Sequence, residues 1–115
     1  MGSLVKSYKV DDVYVLEVHG ELDSEGASKL ESAFEDAFTL GQKNIVVDLK
    51  DTSYIGSSGL RVLISALKEV KPKGGDVRLC NIQSEVYKVI SMVGYTKLFK
   101  IYKTEDEAIK SFGNA

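Results

Sequence analysis

The segment from Val46 to Leu63 constrains the fold more than any other part of the chain, because a strand there runs through a short loop into a helix whose first residues are paired serines. Ile45-Val46-Val47-Asp48-Leu49 is a mostly apolar run bounded by polar residues, as expected for a central strand covered on both faces. Leu60, Leu63, Ile64, Leu67 and Val70 then form an amphipathic stripe that ends near Pro72 and the Gly74-Gly75 turn. Ser57 and Ser58 mark the junction. A hydroxyl at that place faces unpaired backbone N–H groups and the positive end of a helix dipole, where an added phosphate is tolerated and changes the local charge most.

The flanking segments extend the same pattern. Leu4 to Val10 and Val13 to His19 read as β-strands joined by a two-residue Asp11-Asp12 turn, so the chain opens with an antiparallel hairpin. Ala27, Leu30, Phe34, Ala37 and Phe38 fall at helical spacing, with Asp23 or Ser24 as the cap and Gly41 as the stop. Val77 to Ile82 reads as a further strand. Ser84 is expected to cap a helix that turns Val86, Val89, Ile90 and Val93 inward and ends at Gly94. Leu98 to Tyr102 suits a last strand, and Thr104 with Glu107 forms a capping box before a closing helix whose apolar face is Ala108, Ile109 and Phe112. A hairpin supplies one antiparallel pair and each strand–helix–strand crossover a parallel one, which predicts an α/β fold with a mixed sheet and helices packed on it.

At 115 residues and 43% hydrophobic content, the chain is expected to form one domain spanning residues 1–115 around a single core. Fifteen basic and 17 acidic residues are mixed along it for a formal charge of −2, which provides no basic stripe for nucleic acid. The single Cys80 can form no internal disulfide, no basic-then-apolar leader stands at the N-terminus, and no apolar run reaches the roughly 20 residues a membrane span needs. A cytoplasmic protein without nucleic acid or membrane as partner is therefore expected.

The chemistry-bearing residues admit ordinary roles that must be set beside functional ones. Paired serines before a helix commonly cap it, with Ser57 Oγ accepting from N–H groups two or three residues on, worth about 1 kcal/mol. Gly56 and Gly59 flank the pair and permit close approach of another backbone or of a nucleotide γ-phosphate. A hydrolase nucleophile elbow requires Gly-x-Ser-x-Gly, whereas Gly56-Ser57-Ser58-Gly59 has the wrong spacing and His19 lies at the end of an early strand. A phosphoaspartate receiver would place its acidic pair between the first strand and a helix, but Asp11-Asp12 leads straight into another strand. No phosphate-binding glycine motif occurs, and one cysteine with one histidine does not make a zinc site. Cys80, among Val77, Leu79 and Ile82, suits a buried, inert thiol. No catalytic residue, cofactor or metal is expected. Tyr54, beside the serines, is a packing residue or a partner contact.

With its hairpin start, the Ile45 to Leu49 strand and the run Asp51-Thr52-Ser53-Tyr54-Ile55-Gly56-Ser57-Ser58-Gly59-Leu60-Arg61-Val62-Leu63, the chain resembles a STAS domain, specifically a stand-alone bacterial anti-sigma factor antagonist. Gly20-Glu21-Leu22-Asp23 matches a second feature of that family, and the resemblance covers nearly the whole length. It implies a STAS-like mixed sheet with about four helices packed on it. It also implies a non-enzymatic partner-switching protein, monomeric when free. In the family the dephosphorylated antagonist binds an ATP-bound anti-sigma factor serine kinase and frees a sigma factor; the kinase phosphorylates the antagonist, and a PP2C-type phosphatase resets it. The phosphoacceptor position falls on Ser57, with Ser58 as the alternative, and Asp23 matches the acidic residue held near it. The implied partner surface comprises Asp23, Tyr54, Gly56, Ser57, Ser58 and Gly59. The family usually places Asp immediately before the acceptor, whereas Gly56 stands here. That departure keeps open a STAS scaffold or ligand-sensing module that is never phosphorylated.

Overall fold

The computed structural model describes residues 2–113. Strands β1 (Leu4–Val10) and β2 (Val13–His19) form the hairpin in the register Val10↔Val13 to Leu4↔His19, with Asp11 of the turn at φ 53°. The chain continues through α1 (Ser24–Thr39), β3 (Asn44–Asp51), α2 (Ser57–Val70), β4 (Asp76–Cys80), α3 (Ser84–Met92), β5 (Ile101–Tyr102) and α4 (Glu105–Lys110). Short 3-10 turns follow α2 at Lys71–Lys73 and α3 at Tyr95–Lys97. The five strands lie in the order β1-β2-β3-β4-β5, with β1 antiparallel to β2 and every other pair parallel. The mixed α/β architecture read from the sequence is the one observed.

Strand alternation divides the sheet's side chains between two cores. Leu16, Val18, Ile45, Val47, Leu49, Val77 and Leu79 meet the buried stripes of α1, α2 and α3, including Leu30, Phe34, Leu63, Leu67 and Ile90. The opposite face carries a smaller cluster of Val13, Val15, Val46, Cys80 and Ala108 beneath α4. Three helices thus cover one face and one short helix covers part of the other. That leaves the polar residues at the C-terminal ends of β2 and β3 partly open on the α4 side.

Of the two caps the sequence offered for α1, Asp23 serves, because its extended backbone lets the carboxylate accept from Gly26 N–H at 2.9 Å. Several other local expectations require correction. Ser84 is the first residue of α3 rather than its cap; Gln83 holds the cap position without a side-chain bond. Val93 ends that helix and is 48% exposed, so only Val86 and Ile90 are fully buried along it. β4 stops at Cys80, because Asn81 turns left-handed at φ 55°. The last strand shrinks from Leu98–Tyr102 to two residues, because the N–H groups of Leu98 and Phe99 bond back to the Tyr95 carbonyl and close the preceding 3-10 turn, with Leu98 exposed and Phe99 buried. Thr104 Oγ1 does accept from Glu107 N–H, but Glu107 reaches back to Lys103 N–H, one residue earlier than a regular capping box.

Candidate functional site

Two sequence-distant segments meet at the start of α2. Leaving β2, the chain runs through Gly20 and Glu21 to Leu22, which pairs in parallel with Ile55: Leu22 N–H donates to the Tyr54 carbonyl at 2.9 Å, and Gly56 N–H donates to the Leu22 carbonyl at 3.0 Å. Asp23, next in the chain, caps α1, while Ser57, two residues past Ile55, begins α2. The isolated bridge therefore sets the N-termini of both helices side by side. Gly26 makes this possible, since a Cβ there would stand 1.9 Å from the Glu21 carbonyl oxygen. On the far side, the Tyr95 hydroxyl donates to the Leu60 carbonyl at 3.0 Å and tethers the first turn of α2 to the segment after α3. Burial raises the ionisation range of that phenol.

The residues singled out from the sequence are placed as follows. Ser57 is exposed and Ser58 half-buried. Neither caps α2, because Gly56 occupies the cap position and supplies no side-chain oxygen; Ser57 is the first helical residue, too far along to fold back onto the N–H groups two or three ahead. The first turn contains no acidic residue. Its N–H groups and the helix dipole are left to whatever anion comes there. Gly56 is in an extended conformation, φ −104°, that any residue adopts, and the Tyr54 hydroxyl lies 2.9 Å from where its Cβ would be. Tyr54 is 50% exposed and so lies over the helix start as a surface residue. Gly59 is buried, and the close approach it permits is to Leu22 and Ile55 of its own chain rather than to a partner or nucleotide. Asp23 is exposed beside this cluster.

A second polar cluster, not foreseen from the sequence, lies beneath the open part of the α4 face. Oxygens of Glu17, Asp48 and Glu105 fall within 4.8 Å of one another, and a cavity of about 390 Å³ lined also by His19, Asp51 and Asn81 opens beside them. Carboxylates so spaced can hold a hard cation, but these already have partners. Asp48 accepts from Asn81 Nδ2 at 3.1 and 3.2 Å and from Lys50 N–H, and Tyr8 Oη lies within hydrogen-bond reach of both Glu17 and Glu105. Burial pushes the Glu105 carboxyl above its usual range. The adjoining Cys80 thiol is pushed up to about 12, first by burial and then by Asp48 and Glu17, which leaves it un-ionised and inert as expected. His19 Nδ1 lies 2.7 Å from Asp51, so the imidazole is held at the strand end. Only alternation on β2 and β3 could have hinted at Glu17 and Asp48 sharing a face; Glu105 arrives from a separate helix.

A mixed sheet with helices on both faces, and an exposed serine where two helix starts are bridged together, defines a small α/β domain with a polar corner at the start of α2. The chain belongs to the STAS domain family, whose profile matches residues 5–108. It is 30% identical over 98 residues to an anti-sigma F factor antagonist of Paenibacillus polymyxa, with 84% of each chain covered. The structure of an anti-sigma factor antagonist from Mycobacterium paratuberculosis is similar at a TM-score of 0.87 and 25% identity, covering 96% of this chain and 93% of that one. The Bacillus cell fate determinant SpoIIAA in its phosphorylated form shares the fold at a TM-score of 0.74 and 22% identity, over 95% and 99% of the two chains. Among the described residues, no helix is long and apolar enough to cross a membrane.

Proposed function

We propose that residues 1–115 act as a single STAS domain and as an anti-sigma factor antagonist of the partner-switching kind, monomeric when free. In its unmodified form the chain binds an ATP-bound anti-sigma factor serine kinase through the Tyr54–Gly59 loop, the first turn of α2 and Asp23, and a sigma factor is released. The kinase then transfers the γ-phosphoryl group of ATP to Ser57 Oγ. The new bond joins that oxygen to phosphorus, the bond to the β-γ bridging oxygen breaks, ADP departs, and the hydroxyl proton passes to a base on the kinase. A PP2C-type phosphatase hydrolyses the ester and restores the first state.

The observation that carries this reading is an exposed Ser57 hydroxyl, unused for capping, at the first position of a helix whose opening turn has no carboxylate. A phosphate adds about −1.5 to −2 charge there. The N–H groups and dipole of α2 offset that charge within the molecule, so the fold persists while a partner surface matched to a neutral hydroxyl loses affinity. A related fold occurring in phosphorylated form is in keeping with this tolerance.

Incubation with a purified anti-sigma factor serine kinase and ATP, followed by mass-spectrometric mapping, tests the proposal. One phosphate on Ser57 is expected. Ser57→Ala should bind the kinase and resist release by ATP, and Ser57→Asp should bind weakly. A complex that ATP dissolves with no phosphate on Ser57, or equal behaviour of both variants and the parent, overturns it. Gly56, in place of the carboxylate usual before the acceptor, favours a second reading, a scaffold or ligand-sensing module. Such a module self-associates in native mass measurements and does not respond to kinase and ATP.

A further inference from the structure

We infer that the free edge of β5 is a docking groove for an acidic, extended segment of a partner protein, on a surface separate from the Ser57 loop. β5 is the outermost strand, opposite the hairpin edge. The carbonyls of Lys100 and Tyr102 accept from the N–H groups of Leu79 in β4 and of Asn81 just beyond it, at 3.0 and 3.3 Å, and alternation along the strand turns the N–H and carbonyl of the intervening Ile101 outward. Two depressions of about 600 and 510 Å³ run along this edge and share Tyr87, Ile101 and Tyr102.

The lining assigns the chemistry of the occupant. Lys50, Lys97, Lys100 and Lys103 border the two depressions, no Asp or Glu lines either, and all four ammonium groups stand outside the ion pairs formed among the described residues. In a chain of net charge −2 this is a local concentration of positive charge suited to carboxylates. Between the lysines, Tyr87 and Leu98 are 44% and 51% exposed and provide apolar contact for alternate side chains of a strand. Lysine on a sheet edge also discourages pairing with a second copy of the same basic edge, which leaves an acidic strand as the favoured occupant. Nucleic acid or an anionic lipid surface would satisfy the lysines but lacks the alternating N–H and carbonyl groups at strand spacing that match the outward backbone of Ile101.

The probe is a fluorescein-labelled decapeptide of alternating Glu and Val, followed by anisotropy, with four comparisons: the same peptide N-methylated at alternate residues, a peptide of alternating Lys and Val, an oligothymidine decamer, and phosphatidylglycerol–phosphatidylcholine vesicles. The acidic peptide should bind saturably and shift the Ile101 amide resonance, and the Lys97→Glu/Lys100→Glu variant, with both sites exposed and the fold checked by circular dichroism, should bind about tenfold more weakly. Ser57→Asp should bind the peptide like the parent, so this result stands or falls apart from the proposed phosphoserine switch. Absence of binding, equal binding of the N-methylated peptide, tighter binding of oligothymidine or vesicles, or an unmoved Ile101 amide overturns the inference.

Discussion

Gly59 and Leu22 lie so close that a methyl group on Gly59 would stand 2.9 Å from the Leu22 Cβ and equally close to Ile55 Cγ1. The first turn of α2 therefore rests directly on the Leu22–Ile55 bridge that joins the two halves of the candidate site. Gly59→Ala should destabilise the fold by about 1–3 kcal/mol, the usual cost of overpacking a filled core. Urea denaturation measures it, and an unchanged midpoint would show that the bridge can shift.

Asp23 has a capping duty that can be separated from its charge. Its carboxylate accepts from Gly26 N–H, and asparagine caps a helix about as well. Asp23→Ala should cost about 1 kcal/mol by thermal or urea unfolding, and Asp23→Asn close to nothing. If the negative charge also serves kinase recognition, Asp23→Asn should slow phosphorylation of Ser57 in a radiolabelled ATP assay while leaving stability intact.

A carboxylate before the serine pair can be restored. Gly56 has an unstrained backbone, and the atoms nearest to an added Cβ belong to the hydroxyl end of the half-exposed Tyr54 side chain, which has solvent on one side to yield into. Asp at a helix cap is more favourable than glycine by a few tenths of a kcal/mol, roughly. Gly56→Asp should therefore fold with equal or slightly higher stability, and on the phosphoserine reading it should accelerate modification of Ser57. A large drop in melting temperature would contradict the geometry.

Glu105 makes a pH-dependent contribution of definite sign. Its carboxyl is held above the ordinary 4.5 by burial next to Tyr8, Glu17 and Asp48, so the folded chain keeps this proton more tightly than the unfolded chain does. Below the ordinary value both states are protonated and the group is neutral in its effect. As pH rises through the raised value, the folded state gives up the proton against the burial penalty and stability falls. The stability difference between Glu105→Gln and the parent should be smallest in acid and should grow in favour of Gln towards neutral pH, as read from urea midpoints across that range.

The hairpin, the central strand and the helical stripes were legible because they depend on periodicity. Val13 to His19 and Ile45 to Leu49 bury the residues their patterns mark, and Leu30, Phe34, Leu63 and Leu67 sit in the main core. What failed lay at element ends. Ser84 and Gln83 compete for one cap position within a single residue of chain, and the 3-10 turn at Tyr95–Lys97 draws back the N–H groups of Leu98 and Phe99, the first two residues of the expected last strand. Such boundaries are decided by which backbone groups find partners in the assembled sheet, and local pattern does not contain those partners.

Sequence alone determined that a hydroxyl pair would open a helix directly after a buried strand, since hydrophobic period and glycine placement act within a few neighbouring residues. Only the tertiary structure decided that Gly56 rather than serine takes the cap, that Asp23 is carried to the same corner by the Leu22–Ile55 bridge, and that Glu17, Asp48 and Glu105 converge on the other face. Each of these depends on hydrogen bonds and packing between segments more than 30 residues apart in sequence, and their geometry is set when the sheet registers and the helices close over it.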